Sequence, residues 1–314
     1  MTTETLTPDH KGFLRAAQFL GSGACVAFPT ETVYGLGADA RDDRAVAGIF
    51  EAKGRPSFNP LIVHVPGQAE AEALADFSPE ARRLAAAFWP GPLTIVVPRK
   101  PDSGLSDLVS AGLPSVALRV PQHPVAQGLL RTFGGPIAAP SANPSGRVSP
   151  TEAGHVLAGL RGRIAAVVDG GACPVGLEST IVDCTAAPVL LRAGGVSQEE
   201  LEACLGAPLG QPQATTERPV APGQLASHYA PEGTVRLNVL DPQKDEVFLG
   251  FGPVGGALNL SPDGDLIEAA ANLFACLHKL DQMGAERIAV APVPEEGLGR
   301  AINDRLRRAA APRV

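Results

Sequence analysis

Apolar and polar positions along the 314-residue chain change period repeatedly, and each change marks an element. Phe13, Leu14, Ala17 and Leu20 recur at the spacing of one helix face. Ahead of them stands Thr7-Pro8-Asp9, a cap residue followed by a proline suited to the first helical position, so a helix is predicted to run to about Leu20. Short apolar runs at 24–28, 61–65, 93–97, 116–120, 137–139, 165–168, 180–183 and 189–191 read as strands. Segments 43–52, 68–75, 79–88, 123–132, 151–159 and 198–205 carry helical spacing. This mixture predicts an α/β or α+β domain with one extensive sheet over residues 1–206.

The pattern breaks over residues 207–232, where proline-punctuated stretches with little apolar periodicity read as a linker. Beyond it, strands at 235–240, 246–251 and 288–291 with helices at 265–280 and 298–310 predict a small α/β unit over 233–314. No internal repeat of solenoid length is apparent.

Composition narrows the class. At 45% hydrophobic the chain can bury a large core, and its 35 glycines and 30 prolines make it loop-rich without reaching low-complexity levels. No apolar run approaches the roughly 18–20 residues that cross a bilayer, and no basic-then-apolar leader precedes Thr7; a soluble, cytoplasmic protein with no membrane partner is expected. Five widely spaced cysteines without a CxxC pair suggest neither a disulfide framework nor a zinc knuckle. Net charge is -7 and both parts are net negative, so any anion site must be local. The same charge, with only 4% aromatic residues, argues against an RNA-binding module, for which salt-dependent RNA binding without ATP would be the discriminator.

No Walker loop, GxGxxG, HExxH or GxSxG occurs, which removes the commonest nucleotide, zinc and serine-hydrolase readings. Four other stretches carry candidate chemistry. The first, 28–37, is a polar loop leaving a buried strand, with Thr32 and two glycines that permit close ligand approach or simply a tight turn. In the second, Lys53 and Arg55 end a helix and lead through Asn59 to His64; the cations complement a helix dipole or an anion. In the third, 139–152, Ser141 and Asn143 suit phosphate or adenine recognition, whereas Ser149 with Glu152 also fits a capping box. The fourth, 177–183, carries Glu178 and Ser179 into a strand. Arg119 and Arg192 sit inside strand runs, where each requires either a buried acidic partner or a ligand.

In order and interval, PTETVYGLG (29–37), KGRP with NPL and His64 (53–64), FWPGPLT (88–94), ALRVP (117–121), APSANPSG (139–146), ESTIVD (178–183) and LRAGG (191–195) resemble the YrdC-type threonylcarbamoyl-AMP synthases. PGQLASHYAP (222–231) and GLGRAINDRLRRAA (297–310) resemble that family's longer, two-domain branch, so the resemblance covers essentially the whole chain. It implies a twisted mixed-sheet α/β catalytic domain with a concave, locally basic cleft, a lid-like linker and a small Rossmann-like C-terminal domain. It implies condensation of L-threonine, bicarbonate or CO2, and ATP to threonylcarbamoyl-AMP and pyrophosphate, with Mg²⁺ held through the ATP phosphates and no metal ligand from the protein. The adenylate would pass to a separate tRNA threonylcarbamoyltransferase complex, with tRNA a pathway partner rather than a required ligand.

Carried over by position, Lys53 and Arg55 fall at catalytic positions, completing with Ser141 and Asn143 a KxR…SxN set around the nucleotide phosphates. Asn59, Ser115, Ser149, Arg192 and Tyr229 fall at nucleotide-contacting positions, and Thr32, His64, Arg119, the Ala139 backbone and Ser179 where threonine or its carbamate is held. Glu31 and Glu178 receive no role. A carbamoyl-adenylate former using carbamoyl phosphate is the nearer rival, but the acylphosphatase, zinc-finger and transferase domains that accompany it elsewhere are not visible here.

Overall fold

A computed structural model describes residues 2–56, 59–212 and 228–312. The first sheet contains β1 (Glu4–Leu6), β2 (Val26–Pro29), β3 (Tyr34–Asp39), β4 (Ile62–His64), β5 (Leu93–Pro98), β6 (Ser115–Arg119), β7 (Ile137–Ala138), β8 (Ala166–Val168), β9 (Thr180–Asp183) and β10 (Val189–Arg192). Their spatial order is β1-β8-β2-β3-β7-β4-β6-β5-β9-β10, with parallel and antiparallel neighbours mixed. Helices α1 (His10–Gly21), α2 (Asp43–Lys53), α3 (Gln68–Leu74), α4 (Pro79–Phe88), α5 (Asp107–Ser110), α6 (Pro124–Phe133), α7 (Ala153–Leu160) and α8 (Gln198–Leu205) accompany it.

Strand alternation divides this unit into two cores. Val26 and Phe28 of β2 pack with Leu20 of α1 and Leu129 of α6, whereas Ala27 points to the other face with Ile49 of α2, Leu84 of α4 and Leu201 of α8. Helix α8 thus belongs with the large sheet, and Gly210 still bridges to Val189 of β10.

The second sheet, β11 (Thr234–Arg236), β12 (Val247–Gly250), β13 (Leu258–Asn259) and β14 (Arg287–Val290), is wholly parallel in the order β11-β14-β12-β13. It packs with α9 (Leu266–Gln282) and α10 (Gly299–Ala310). Of the linker expected at 207–232, residues 213–227 lie outside the described residues.

Several local expectations are corrected. Helix α1 starts at His10, because the Asp9 carboxylate accepts from the Gly12 amide as N-cap while Thr7 only donates to Asp9. The 29–37 stretch is a short turn followed by β3. Its glycines break the apolar pattern because Phe28 and Ile137 fill the space; a Cβ on Gly37 would stand 2.7 Å from the Phe28 ring. Ser149 caps no helix: α7 begins at Ala153, and the Ser149 hydroxyl donates to Glu178 instead. The strand expected at 235–240 shortens to β11, and β1 and β13 are too brief to leave a pattern.

The two units are docked through apolar packing. Val33, Val148 and Leu177 join Leu273, Phe274 and Leu277 of α9 in one cluster. Gly176, at φ 71°, lets the loop before β9 touch the α9 backbone, since an added Cβ would lie 2.5 Å from the Ala271 Cα and carbonyl oxygen. A Gly176→Ala substitution combines left-handed strain with a clash against backbone, and should cost about 1–3 kcal/mol or more in chemical denaturation. A wild-type denaturation midpoint would contradict this docking geometry.

Candidate active site

The cleft is assembled from strand ends and the loops beside them. Parallel pairing of β4 with β6 places His64 and Arg119 side by side at their C-terminal ends. The β2–β3 turn supplies Thr30 and Thr32, the loop after β7 supplies Ala139 and Ser141, and the approach to β9 supplies Glu178 and Ser179. Arg55, Arg192, His228 and Tyr229 complete the lining.

Arg119 is buried and ion-paired with Glu31 at 2.6 Å, donates to the Thr32 hydroxyl at 2.9 Å, and reaches the Gly91 carbonyl with Nε. Its partner's second oxygen accepts from the Gln122 and His123 amides at 3.0 and 3.3 Å. Glu31 is therefore a fixed strut under Arg119, and two of the five guanidinium N–H groups, one on each terminal nitrogen, remain for a bidentate anion. Of the two readings of Arg119 left open by the sequence, the buried acidic partner is present as Glu31.

Lys53 is buried, does not line the cavity, and donates to the carbonyls of Ser141 and Asn143. It pins the loop that presents Ser141. Burial, then the neighbouring Arg55, pushes its ammonium well below the usual lysine range. Arg55 lines the cavity, donating to the Pro60 carbonyl at 3.1 Å while its Nε has no partner; burial lowers its pKa to about 10. Arg192 grips the Ser179 carbonyl through Nε and a terminal nitrogen at 3.2 and 2.9 Å. The Ser179 hydroxyl shares a 2.7 Å hydrogen bond with Thr94.

Asn59 and Asn143 are buried with unpartnered Oδ1 atoms, and neither lines the cavity; the Asn143 amide donates to the Pro144 and Arg147 carbonyls. The Ala139 amide is committed to the Ile62 carbonyl at 2.8 Å. Ser149 stands behind Glu178, giving it a 2.5 Å hydrogen bond. Ser115 is not brought to the cavity: it opens β6 opposite Pro98, four residues and about 13 Å of strand before Arg119. Tyr229, at φ 60°, is fully enclosed and stacks on Phe274 of α9 at 5.4 Å.

Six of the seven unpartnered buried polar atoms among the described residues belong to this region: Arg55 Nε, Asn59 Oδ1, His64 Nδ1, Asn143 Oδ1, His228 Nδ1 and a terminal nitrogen of Arg305. Such atoms normally find partners, and three of them, on Arg55, His64 and His228, belong to residues that line the cavity. Lys53, Arg55, Arg119, Arg192 and Arg305 face Glu31, Glu178 and Asp304, so basic groups outnumber acidic ones here in a chain of charge -7.

Sequence reasoning missed His228 and Arg305 and gave Glu31 and Glu178 no role. His228 adjoins Tyr229 in a stretch already conspicuous for its tyrosine. Arg305 falls on the same helical stripe as Ala301, Ile302 and Ala309, and an arginine on an apolar stripe was the available signal.

A concave cleft rich in basic groups, set in a ten-stranded mixed sheet beside a smaller parallel-sheet unit, defines a two-unit α/β protein. Residues 18–194 match the Sua5/YciO/YrdC family, described as Telomere recombination, and residues 196–311 match Sua5_C, described as Threonylcarbamoyl-AMP synthase, C-terminal domain. The chain belongs to this family in its two-domain form. It is 42% identical to the threonylcarbamoyl-AMP synthase of Bacillus subtilis, covering 99% of this chain and 96% of that one. Identity to the Pyrococcus abyssi synthase is also 42%, over 95% and 94%. The crystal structure of P. abyssi Sua5 complexed with L-threonine superposes with a TM-score of 0.89, covering 99% and 98% of the two chains. E. coli YciO, at 21% identity, covers 62% of this chain and 96% of its own with a TM-score of 0.56, and shares the fold of the first unit.

Burial, and then nearby cations, depresses His64 and His228 to about 3. The unfolded chain takes up these protons near pH 6.5 while the folded protein refuses them until about pH 3, so acid favours unfolding. Stability should fall by up to about 1.4 kcal/mol per pH unit for each histidine as pH drops below 6.5. Urea midpoints measured from pH 7 to 4.5 should decline, with a shallower slope in His64→Gln; equal slopes would refute the buried neutral state.

Proposed function

We propose that the protein is an L-threonylcarbamoyladenylate synthase, a nucleotidyltransferase acting in the cytoplasm and supplying tRNA threonylcarbamoylation. The observation that carries this reading is the cationic cleft with its unpartnered polar atoms, set in a fold matching an L-threonine complex across almost the whole chain.

Threonine's amine adds to CO2 derived from bicarbonate, losing a proton to give the carbamate. A carbamate oxygen then attacks the α-phosphorus of ATP, and the α–β bridging bond breaks to release pyrophosphate. The two free N–H groups of Arg119 hold the amino-acid carboxylate, with Thr32, Ser179, the Ala139 region and neutral His64 around the amine and side chain. Arg55, Arg192 and Ser141 face the phosphates, Tyr229 covers the nucleotide, and Lys53 acts beneath them by fixing the Ser141–Asn143 loop. No protein nucleophile is required.

Magnesium fits this cleft as the counter-ion of ATP. Glu178, which lines the cavity, and Glu31, behind Arg119, are each engaged by an arginine, so the phosphates themselves would hold the ion, which neutralises their charge. His228 and Tyr229 line the cavity together with the strand-end residues, where they would help to exclude water from the short-lived carbamate. The product passes to a separate tRNA threonylcarbamoyltransferase complex.

Purified protein with ATP and Mg²⁺ should release pyrophosphate only when threonine and bicarbonate are both present. Arg55→Ala should lower kcat/KM for ATP by about 100-fold, the scale expected for one charged phosphate contact. Release indifferent to threonine would point to another acceptor or carbamoyl donor, and no release would overturn the reading.

A further inference from the structure

The C-terminal unit contributes more to the cleft than an anchor for the linker. Arg305, on α10, has no solvent exposure, and its Nε donates to Glu178 Oε2 at 3.0 Å. One terminal nitrogen donates to the Ala193 carbonyl at 2.7 Å and to Asp304 at 3.0 Å. The guanidinium lies 5.5 Å from the Tyr229 ring centroid, and its remaining terminal nitrogen is unpartnered. On the other side, Glu178 Oε1 accepts from Ser149.

These contacts converge on Arg192. Glu178 precedes Ser179, whose carbonyl receives two Arg192 hydrogen bonds, and Ala193 follows Arg192 directly. Arg305 thus ties together both backbone segments that orient Arg192, and packs against the tyrosine beside it. A fully buried arginine is costly unless paired and hydrogen-bonded, and a surface ion pair would hold two domains together without that cost. Burial in the wall of the cleft makes sense if its geometry matters there.

We propose that Arg305 is a positioning residue for the nucleotide half of the site, acting through Glu178 and Ala193 on Arg192, Ser149 and Tyr229, so that the catalytic cleft is complete only with the C-terminal domain docked. This rests on the synthase reading for the identity of the nucleotide. Because Ser149, Arg192 and Tyr229 fall on the ATP side, disturbing Arg305 acts on ATP more than on threonine. A role confined to folding would instead lower the active fraction, reducing kcat and leaving KM alone.

The test compares wild type, Arg305→Met, Arg305→Lys, Glu178→Gln and the Arg305→Met/Glu178→Gln pair by thermal melting, pyrophosphate-release kinetics and ATP calorimetry. Arg305→Met strands Glu178 as an unpaired buried charge and should melt earlier; the double variant, lacking that charge, should recover most of the loss. Both should show KM for ATP raised at least tenfold, with threonine KM changed less than threefold, and Arg305→Lys should fall between them and wild type. A double variant with wild-type melting and ATP KM within twofold of wild type would overturn the proposal, as would equal effects on the two substrates. If wild type binds ATP but releases no pyrophosphate with threonine and bicarbonate, the synthase reading fails while ATP calorimetry still decides Arg305. Wild type that binds no ATP overturns both.

Discussion

Positive charge withdrawn from water is the constraint around which this protein is built. Five basic side chains gather around one cleft, and each has partners before any ligand arrives: Arg119 has Glu31, Arg305 has Glu178, and Lys53, Arg55 and Arg192 have backbone carbonyls. Leaving such a group bare would cost several kcal/mol, so the turns and strand ends that carry the counter-groups have little freedom in placement. The cost is only partly offset. The unpartnered atoms around the cleft are the remainder: donors such as Arg55 Nε suit an anion, and the amide oxygens of Asn59 and Asn143 need a donor.

The sheet makes this arrangement possible. Adjacent β4 and β6 run parallel and bring His64 and Arg119 to the same end, while β9 and β10 run antiparallel, so Ser179 before one strand meets Arg192 at the end of the next. Neighbouring glycines keep the layers close. Gly37 leaves room for Phe28 under the β2–β3 turn, and Gly194 lies against the backbone of Glu178 and Ser179, where a Cβ would meet the Glu178 carbonyl oxygen at 2.3 Å. The second unit then closes the remaining side. His278 of α9 stacks on His155 of α7 at 3.8 Å and hydrogen-bonds the Ser149 carbonyl, while Ala230 pairs with the Gly146 carbonyl. Docking therefore fixes the same loops that line the cleft, which links domain packing to binding.

Much of this was legible before folding is considered. Long amphipathic segments such as 43–52 and 79–88 declared themselves through spacing, and buried strands such as 93–97 through continuous apolar runs. What failed to show was short or interrupted: β1, β13, and β3 with its two glycines. Ser149 illustrates a different failure. Ser-Pro-Thr-Glu satisfies every local rule for a helix cap, yet α7 begins only at Ala153 and the Ser149 hydroxyl donates to Glu178, 29 positions away, a partner no local rule contains.

The sequence by itself determined the class of fold, the two-unit division and the motif stretches that meet at the cleft, because hydrophobic periodicity and turn chemistry are local properties. Only the tertiary structure decided which polar groups face which. Glu31 became the strut of Arg119, Lys53 a pin beneath a loop instead of a lining residue, Ser115 a strand residue remote from the cavity, and Arg305 a member of the cleft from more than a hundred residues downstream. Those assignments depend on desolvation and on pairing between distant segments. Neither leaves a trace in spacing along the chain.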